Sequence, residues 1–277
     1  MSVHPEGVQI VERYNKIDQY LARIYLTSTL ATGFLFVMAA IAKGFYSFIS
    51  KGAIVLQLPL TLTFPFDISN PWVFGLLFVW VAVALIFVAL VSVAGEAFFA
   101  GLATNVVAHF KCIQQIFHNR NFKENDKSLI ELIEYHKLVL DLSNKLMSAF
   151  RMIIFNHLMV ASVLLCVLCF QLVMGLGTSL MLIIIYILYI AVIVIQITFF
   201  AYFGTLLTAE SIGVADAIYC SNWYETTSSN RKKLLQCMMR AQIPVDTKAG
   251  LMEASLPNLK AIVNSAGSYV TLLLSFT

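Results

Sequence analysis

Charge is scarce in this chain. Asp, Glu, Lys and Arg make up 12% of its 277 residues, about half the share found in soluble globular domains. From Leu158 to Ala209 none occurs at all. A domain that must present a wetted surface has no such deficit, so an ordinary soluble protein is excluded. The sequence also lacks an HExxH zinc string, a P-loop and a nucleophile elbow, which removes three common routes to catalysis. There is no Asn-x-Ser/Thr acceptor, and residues 1–23 have no apolar central run of the signal-peptide kind. Two of the five cysteines spell Cys166-x-x-Cys169. They lie in an apolar run without His or Asp neighbours, where thiols are packing groups rather than a metal or redox site. No cofactor is expected, and the chain is not read as an enzyme. The net charge of +3 is scattered over segment ends and forms no basic face, so no nucleic-acid partner is expected either.

What is there instead is apolar: 60% hydrophobic residues and a mean hydropathy of +0.83. About 20 such residues in a helix cross the hydrocarbon layer, which predicts an all-α, polytopic membrane protein with about five spans and lipid as its solvent. A polar lead-in, 1–23, precedes two spans within 24–95. The loop at 50–71 is broken by Pro59, Pro65 and Pro71. Asn70-Pro71 is a good helix start, since proline fits the first turn. Two more spans fall within 153–209 and a last one within 258–277.

Between the spans, helical periodicity continues. Phe98, Leu102, Val106, Phe110, Ile113 and Phe117 recur three or four apart. After a turn the pattern resumes at Leu129, Leu132, Ile133, Leu138, Leu142, Leu146 and Phe150. Two helices thus extend beyond the bilayer over 96–152, as a coiled stalk or as a platform for subunit packing through residues such as Leu132 and Leu142. A further polar region, 210–257, contains the basic amphipathic string RKKLLQCMMRAQIP, which ends at Pro244 and is joined to the last span by 245–257. Lys and Arg concentrate in 1–23, 96–156 and 210–260, with 3, 7 and 6 of the 18, so those segments are read as cytoplasmic. Five spans then leave the C-terminus extracellular. The last span differs from the others. Asn258, Asn264, Ser265, Ser268, Thr271 and Ser275 interrupt it, a stripe that suits a water-lined path or a tight helix interface.

Three strings carry a resemblance: LPLTLTFPFDISNPW before the second span, YCSNWYE leading into RKKLLQCMMRAQIP, and the terminal LPNLKAIVNSAGSYVTLLLSF. Together they resemble the insect odorant receptor family over essentially the whole chain. The five spans look like that family's third to seventh, which implies a piece of a longer receptor or a form lacking the first two helices. The Thr-Tyr-five-Gln-Phe string of gustatory receptors is missing. So are the Asp/Glu-Arg-Tyr and Asn-Pro-x-x-Tyr strings of G-protein-coupled receptors and the intramembrane carboxylate pairs of small transporters.

The resemblance implies an odorant-tuned subunit of a ligand-gated, non-selective cation channel, forming a heterotetramer with an odorant co-receptor subunit. The extensions would be its anchor and the last helix its pore lining, with a gate near Leu272, Ser275 and Phe276. Small volatile odorants call for a buried aromatic cavity with a few hydroxyls. Phe45 and Tyr46 on the first span, Phe74 and Phe78 on the second, and Tyr186 and Tyr189 on the fourth are its expected lining.

Overall fold

The computed structural model describes residues 5–51, 58, 64–65, 70–119, 127–175, 180–250 and 252–275. Four long helices dominate it: α1 (Pro5–Lys51), α2 (Pro71–Asn119), α3 (Lys127–Gly175) and α4 (Leu180–Tyr219). Among the described residues, stretches of all four are long and apolar enough to cross a membrane. Each also runs on, unbroken, past the length that a bilayer needs. No proline interrupts α2 after Pro71, and the Asn70 side chain caps its start by accepting the Trp72 N–H at 3.0 Å. Hydroxyls within the apolar part of α1 are satisfied by their own helix: Thr27, Thr29 and Thr32 donate to carbonyls one turn back.

Beyond α4 the chain makes a 3₁₀ turn, Trp223–Glu225, and then α5 (Ser228–Ala241). Thr227 caps α5 by accepting the Asn230 N–H. Asn230, Leu234, Cys237 and Ala241 form its buried face, spaced four and three residues apart as one helix face requires. A minimal antiparallel hairpin follows, β1 (Lys248–Ala249) against β2 (Met252–Glu253), and then α6 (Leu256–Leu274). Gly250 turns the hairpin with φ of 62°, a conformation that favours glycine. Phe155 lies so close that a side chain there would meet its ring. Periodicity at 245–257 gives no sign of this hairpin, because strands of two residues are too short to show an alternation.

The core lies between the second half of α2, from Phe99 to Phe117, α3 from Leu129 to Leu168 and α4 from Ile193 to Ile218. Phe99, Phe110 and Phe117 of α2 are buried with Leu129, Leu132 and Met147 of α3 and Phe200, Phe203 and Leu207 of α4. The buried ridge of α2 departs from the sequence reading at its upper part: Phe98 and Leu102 are exposed, whereas Phe99 and Ala103 are buried. Successive steps of four drift around a helix of 3.6 residues per turn, and the ridge holds its face by alternating three and four. On α3 the apolar stripe is divided, with Leu132 and Leu146 buried in the protomer. Leu138 and Leu142 face outward, while His136, Val139 and Ser143 take the inner face.

Candidate functional site

α6 joins the bundle by one narrow stripe. Leu259, Ile262, Ala266 and Val270 pack on the rest of the chain, Ala266 sharing a small cluster with Leu165 and Cys169 of α3. At about 100° per residue, the opposite face carries Asn264, Ser268, Leu272 and Ser275, all exposed. The hydroxyls there are tied down without help from neighbours: Thr271 donates to the Ser268 carbonyl at 2.8 Å and Ser275 to that of Leu272 at 2.6 Å. So the polar stripe read in the sequence is turned away from its own protomer. Leu272, 54% exposed, belongs to this outward face. Phe276 lies outside the described residues.

The aromatic residues expected to line a ligand cavity lie on α1, α2 and α4 as two separate pairs and one exposed ring. Phe74 and Phe78, one turn apart on α2, are half-buried with ring centroids 6.1 Å apart. Tyr186 and Tyr189 are half-buried on one face of α4 and pack against the main core. Phe45 near the end of α1 is 65% exposed, so its ring meets the surroundings of the protomer rather than its interior. The Tyr46 side chain lies outside the described residues. On the extensions, Leu132 is 2% exposed and enclosed within the protomer, whereas Leu142 is 48% exposed.

A polar junction escaped the sequence reading. Where the apolar and amphipathic halves of the helices meet, Gln196 Nε2 of α4 donates to Glu96 Oε1 of α2 at 2.6 Å. His157 Nδ1 of α3 lies 3.8 Å from the same oxygen, and its ring sits against Phe200 with centroids 4.9 Å apart. Glu96 is buried. An acid closing an apolar run is the one available signal, since a carboxylate in such surroundings needs partners. Further along, Lys111 Nζ pairs with Glu210 Oε2 at 2.6 Å. Gln114 Nε2 donates to the Glu210 carbonyl at 2.8 Å, so the extensions of α2 and α4 are pinned together.

These features define a polytopic, multi-pass helical membrane protein with one lightly attached, polar-faced helix. The chain belongs to the 7tm odorant receptor family, whose profile matches residues 3–267. It is 26% identical to odorant receptor 45a of Drosophila melanogaster over 276 residues, 99% of this chain and 72% of that one. It is 29% identical to odorant receptor 82a of the same fly, over 98% of this chain and 71% of that one. Among solved structures, the insect olfactory receptor OR5 from Machilis hrabei shares the fold with a TM-score of 0.78 at 16% identity, over 97% of this chain and 70% of that one. The same receptor in complex with eugenol gives a TM-score of 0.77. Membership makes the chain a receptor of olfaction rather than an enzyme.

Proposed function

We propose that the chain is the odorant-tuned subunit of a ligand-gated, non-selective cation channel, working in a heterotetramer with a co-receptor. The observation that carries this reading is the outward polar face of α6. The Asn264 amide, aimed away from the protomer, is unfavourable against lipid, whereas the hydroxyls of Thr271 and Ser275 bond to their own helix. Against a central water path shared with other subunits they are at home. Leu272, with Phe276 beyond it, would close that path as an apolar ring that excludes water, and Ser275 would offer a passing ion partial hydration.

The ligand is a small volatile odorant, a reading supported by the receptor from Machilis hrabei having been solved in complex with eugenol. Its cavity lies between the outer parts of α2 and α4, lined by Phe74, Phe78, Tyr186 and Tyr189, with Phe45 and Tyr46 at its rim. The spans occupy 24–95, 153–209 and 258–277. The lead-in 1–23 and the anchor segments 96–152 and 210–257 are cytoplasmic, and the C-terminus is extracellular, as the Lys and Arg distribution favours. In the anchor, Leu132 holds α3 within its own protomer while Leu142 meets the next subunit.

Co-expression with and without a co-receptor tests the proposal. Odorant-evoked cation current that requires both chains is the expected result. Absence of any evoked current across a broad odorant panel, with both chains demonstrably at the cell surface, refutes it.

A further inference from the structure

Two faces of α4 meet different neighbours. Tyr189 and Gln196 stand nearly two full turns apart and so share one side of the helix. Ile190 and Val194 take another side, where they pack on the small cluster that Ala266 of α6 forms with Leu165 and Cys169 of α3. A turn of α4 about its own axis that moves Tyr189 therefore moves the seat of α6 as well. Whatever fixes that angle links the odorant cavity proposed for Tyr189 to the pore lining proposed for α6.

The pair of Glu96 and Gln196 is placed to fix it. Gln196 Nε2 donates to Glu96 Oε1 at 2.6 Å, and Glu96 is 4% exposed. Tyr25 of α1 faces the same carboxylate, and its ring stacks on Phe199 of α4. His157 of α3 comes to 3.8 Å, too far for a hydrogen bond. Among the described residues no Lys or Arg comes within ion-pair distance of Glu96. An apolar pair would hold α2 against α4 as firmly, without the cost of burying a carboxylate. What the polar pair adds is direction. A hydrogen bond weakens steeply as its angle or length departs from the optimum, whereas apolar contact has no preferred angle.

We propose that the bond between Glu96 and Gln196 is a rotational latch on α4, which makes both of them positioning residues of gating. It sets the angle at which α4 presents one face to the odorant and another to α6. The latch rests on the reading of the chain as an odorant-gated channel, and the two are tested by separate readouts. Breaking the bond frees α4 to turn, so α6 changes its seat. Leu272, on the face of α6 turned away from the bundle, then reports a change made at residues 96 and 196.

The first readout is fluorine NMR of the full chain in lipid nanodiscs. A trifluoromethyl thiol label is placed on Leu272→Cys, with the exposed Cys220 changed to Ser. Glu96→Leu with Gln196→Leu removes both polar partners together, which leaves neither orphaned and should keep the fold. Its label signal should shift or split, and the exchanged pair, Glu96→Gln with Gln196→Glu, should bring the signal back. The second readout is current in cells that also make a co-receptor, evoked by whichever odorant of a panel acts most strongly on wild type. The concentration for half-maximal current should move about tenfold or more in the apolar pair and return in the exchanged pair. If the apolar pair does not fold, Glu96→Gln alone, isosteric and a weaker acceptor, makes the same comparisons. A label signal that is the same in every folded variant overturns the latch, whatever the current does. So does an exchanged pair that behaves like the apolar one. Absence of evoked current in every form, with the label still moved and restored, refutes the channel reading and leaves the latch standing.

Discussion

Gly204 of α4 lies so close beneath the carbonyl of Ala254 that a Cβ at that position would overlap the oxygen. Beside it the Leu256 N–H donates to Thr205 Oγ1 at 3.0 Å, so the chain is clamped to α4 just as α6 begins. Gly204→Ala must push this junction apart, and backbone cannot yield as a flexible side chain can. A loss of about 1–3 kcal/mol is expected, read as a lower unfolding temperature in detergent. Gly95→Ala, where an added Cβ meets nothing within 4 Å, is the matched control and should leave that temperature unchanged or raise it slightly.

The aromatic cavity is tested by truncation. Alanine at Phe74, Phe78, Tyr186 and Tyr189 should reorder the responses to an odorant panel, because each ring removed changes the shape that a small apolar ligand fills. An unchanged rank order in the quadruple variant would place the ligand elsewhere.

Leu138 and Leu142 form an apolar pair on the outside of α3, one turn apart on a segment proposed to stand in water. Covering each is worth about 1.5–3 kcal/mol. Leu142→Asp should therefore abolish co-purification with a co-receptor while the chain is still made and still folds. Leu132→Asp differs in kind: it places a charge inside the protomer, so loss of the folded chain is its expected outcome. Undiminished co-purification of Leu142→Asp would leave this surface without a part in assembly.

Thiol accessibility reads the register of α6. Cysteine at Leu272 or Ser268 should make current sensitive to a reagent applied from outside, whereas cysteine at Ala266, packed against Leu165 and Cys169, should be silent. Leu272→Ser should raise current in the absence of odorant, because a polar ring favours the wetted state. Sensitivity at 266 with silence at 268 and 272 would rotate the helix and refute the assignment.

Acid should weaken the extension. The unfolded chain protonates His136 near 6.5, but burial lowers the folded value to about 4. The unfolded state thus binds more protons between those values. The contribution to stability is complete above about 6.5 and is lost as pH falls toward 4. A few kcal/mol at most is at stake, at about 1.4 kcal/mol per pH unit. Unfolding temperatures of wild type and His136→Gln, compared from pH 7 to pH 4.5, should converge as pH falls; parallel curves would remove His136 from the account.

The helices themselves were plain in the residues. Long apolar runs free of proline, with breakers at Pro71, Gly175 and Pro244, leave little freedom in where they begin and end. Which face points where was not plain. In a membrane protein an apolar side chain can meet lipid, a partner or its own core, and hydropathy is the same in each case. That is why Phe98, Leu138 and Leu142 fall in the same apolar stripes as Phe110 and Leu132, although only the last two are buried in the protomer. Polar residues can be buried without any local sign of it. His136 and Ser143 look like wet-side residues until α5 and the α3 carbonyls supply their partners. Glu96 finds Gln196 a hundred residues away, a separation no local pattern reports.

The continuity of α2 has a mechanical side. Its 49 residues make a rod about 74 Å long at about 1.5 Å per residue, without an internal proline to act as a joint. A rod of that length is a lever: turning it by about 3° moves its far end by about 4 Å. A ligand that shifts the outer end by less than the width of a methyl group can thereby displace the other end by a full atomic diameter, if the fulcrum lies near the outer third. The polar junction of Glu96, Gln196 and His157 sits near the middle instead. Motion there is divided almost equally between the two arms, and stiffness, rather than gain, is what the long helix provides.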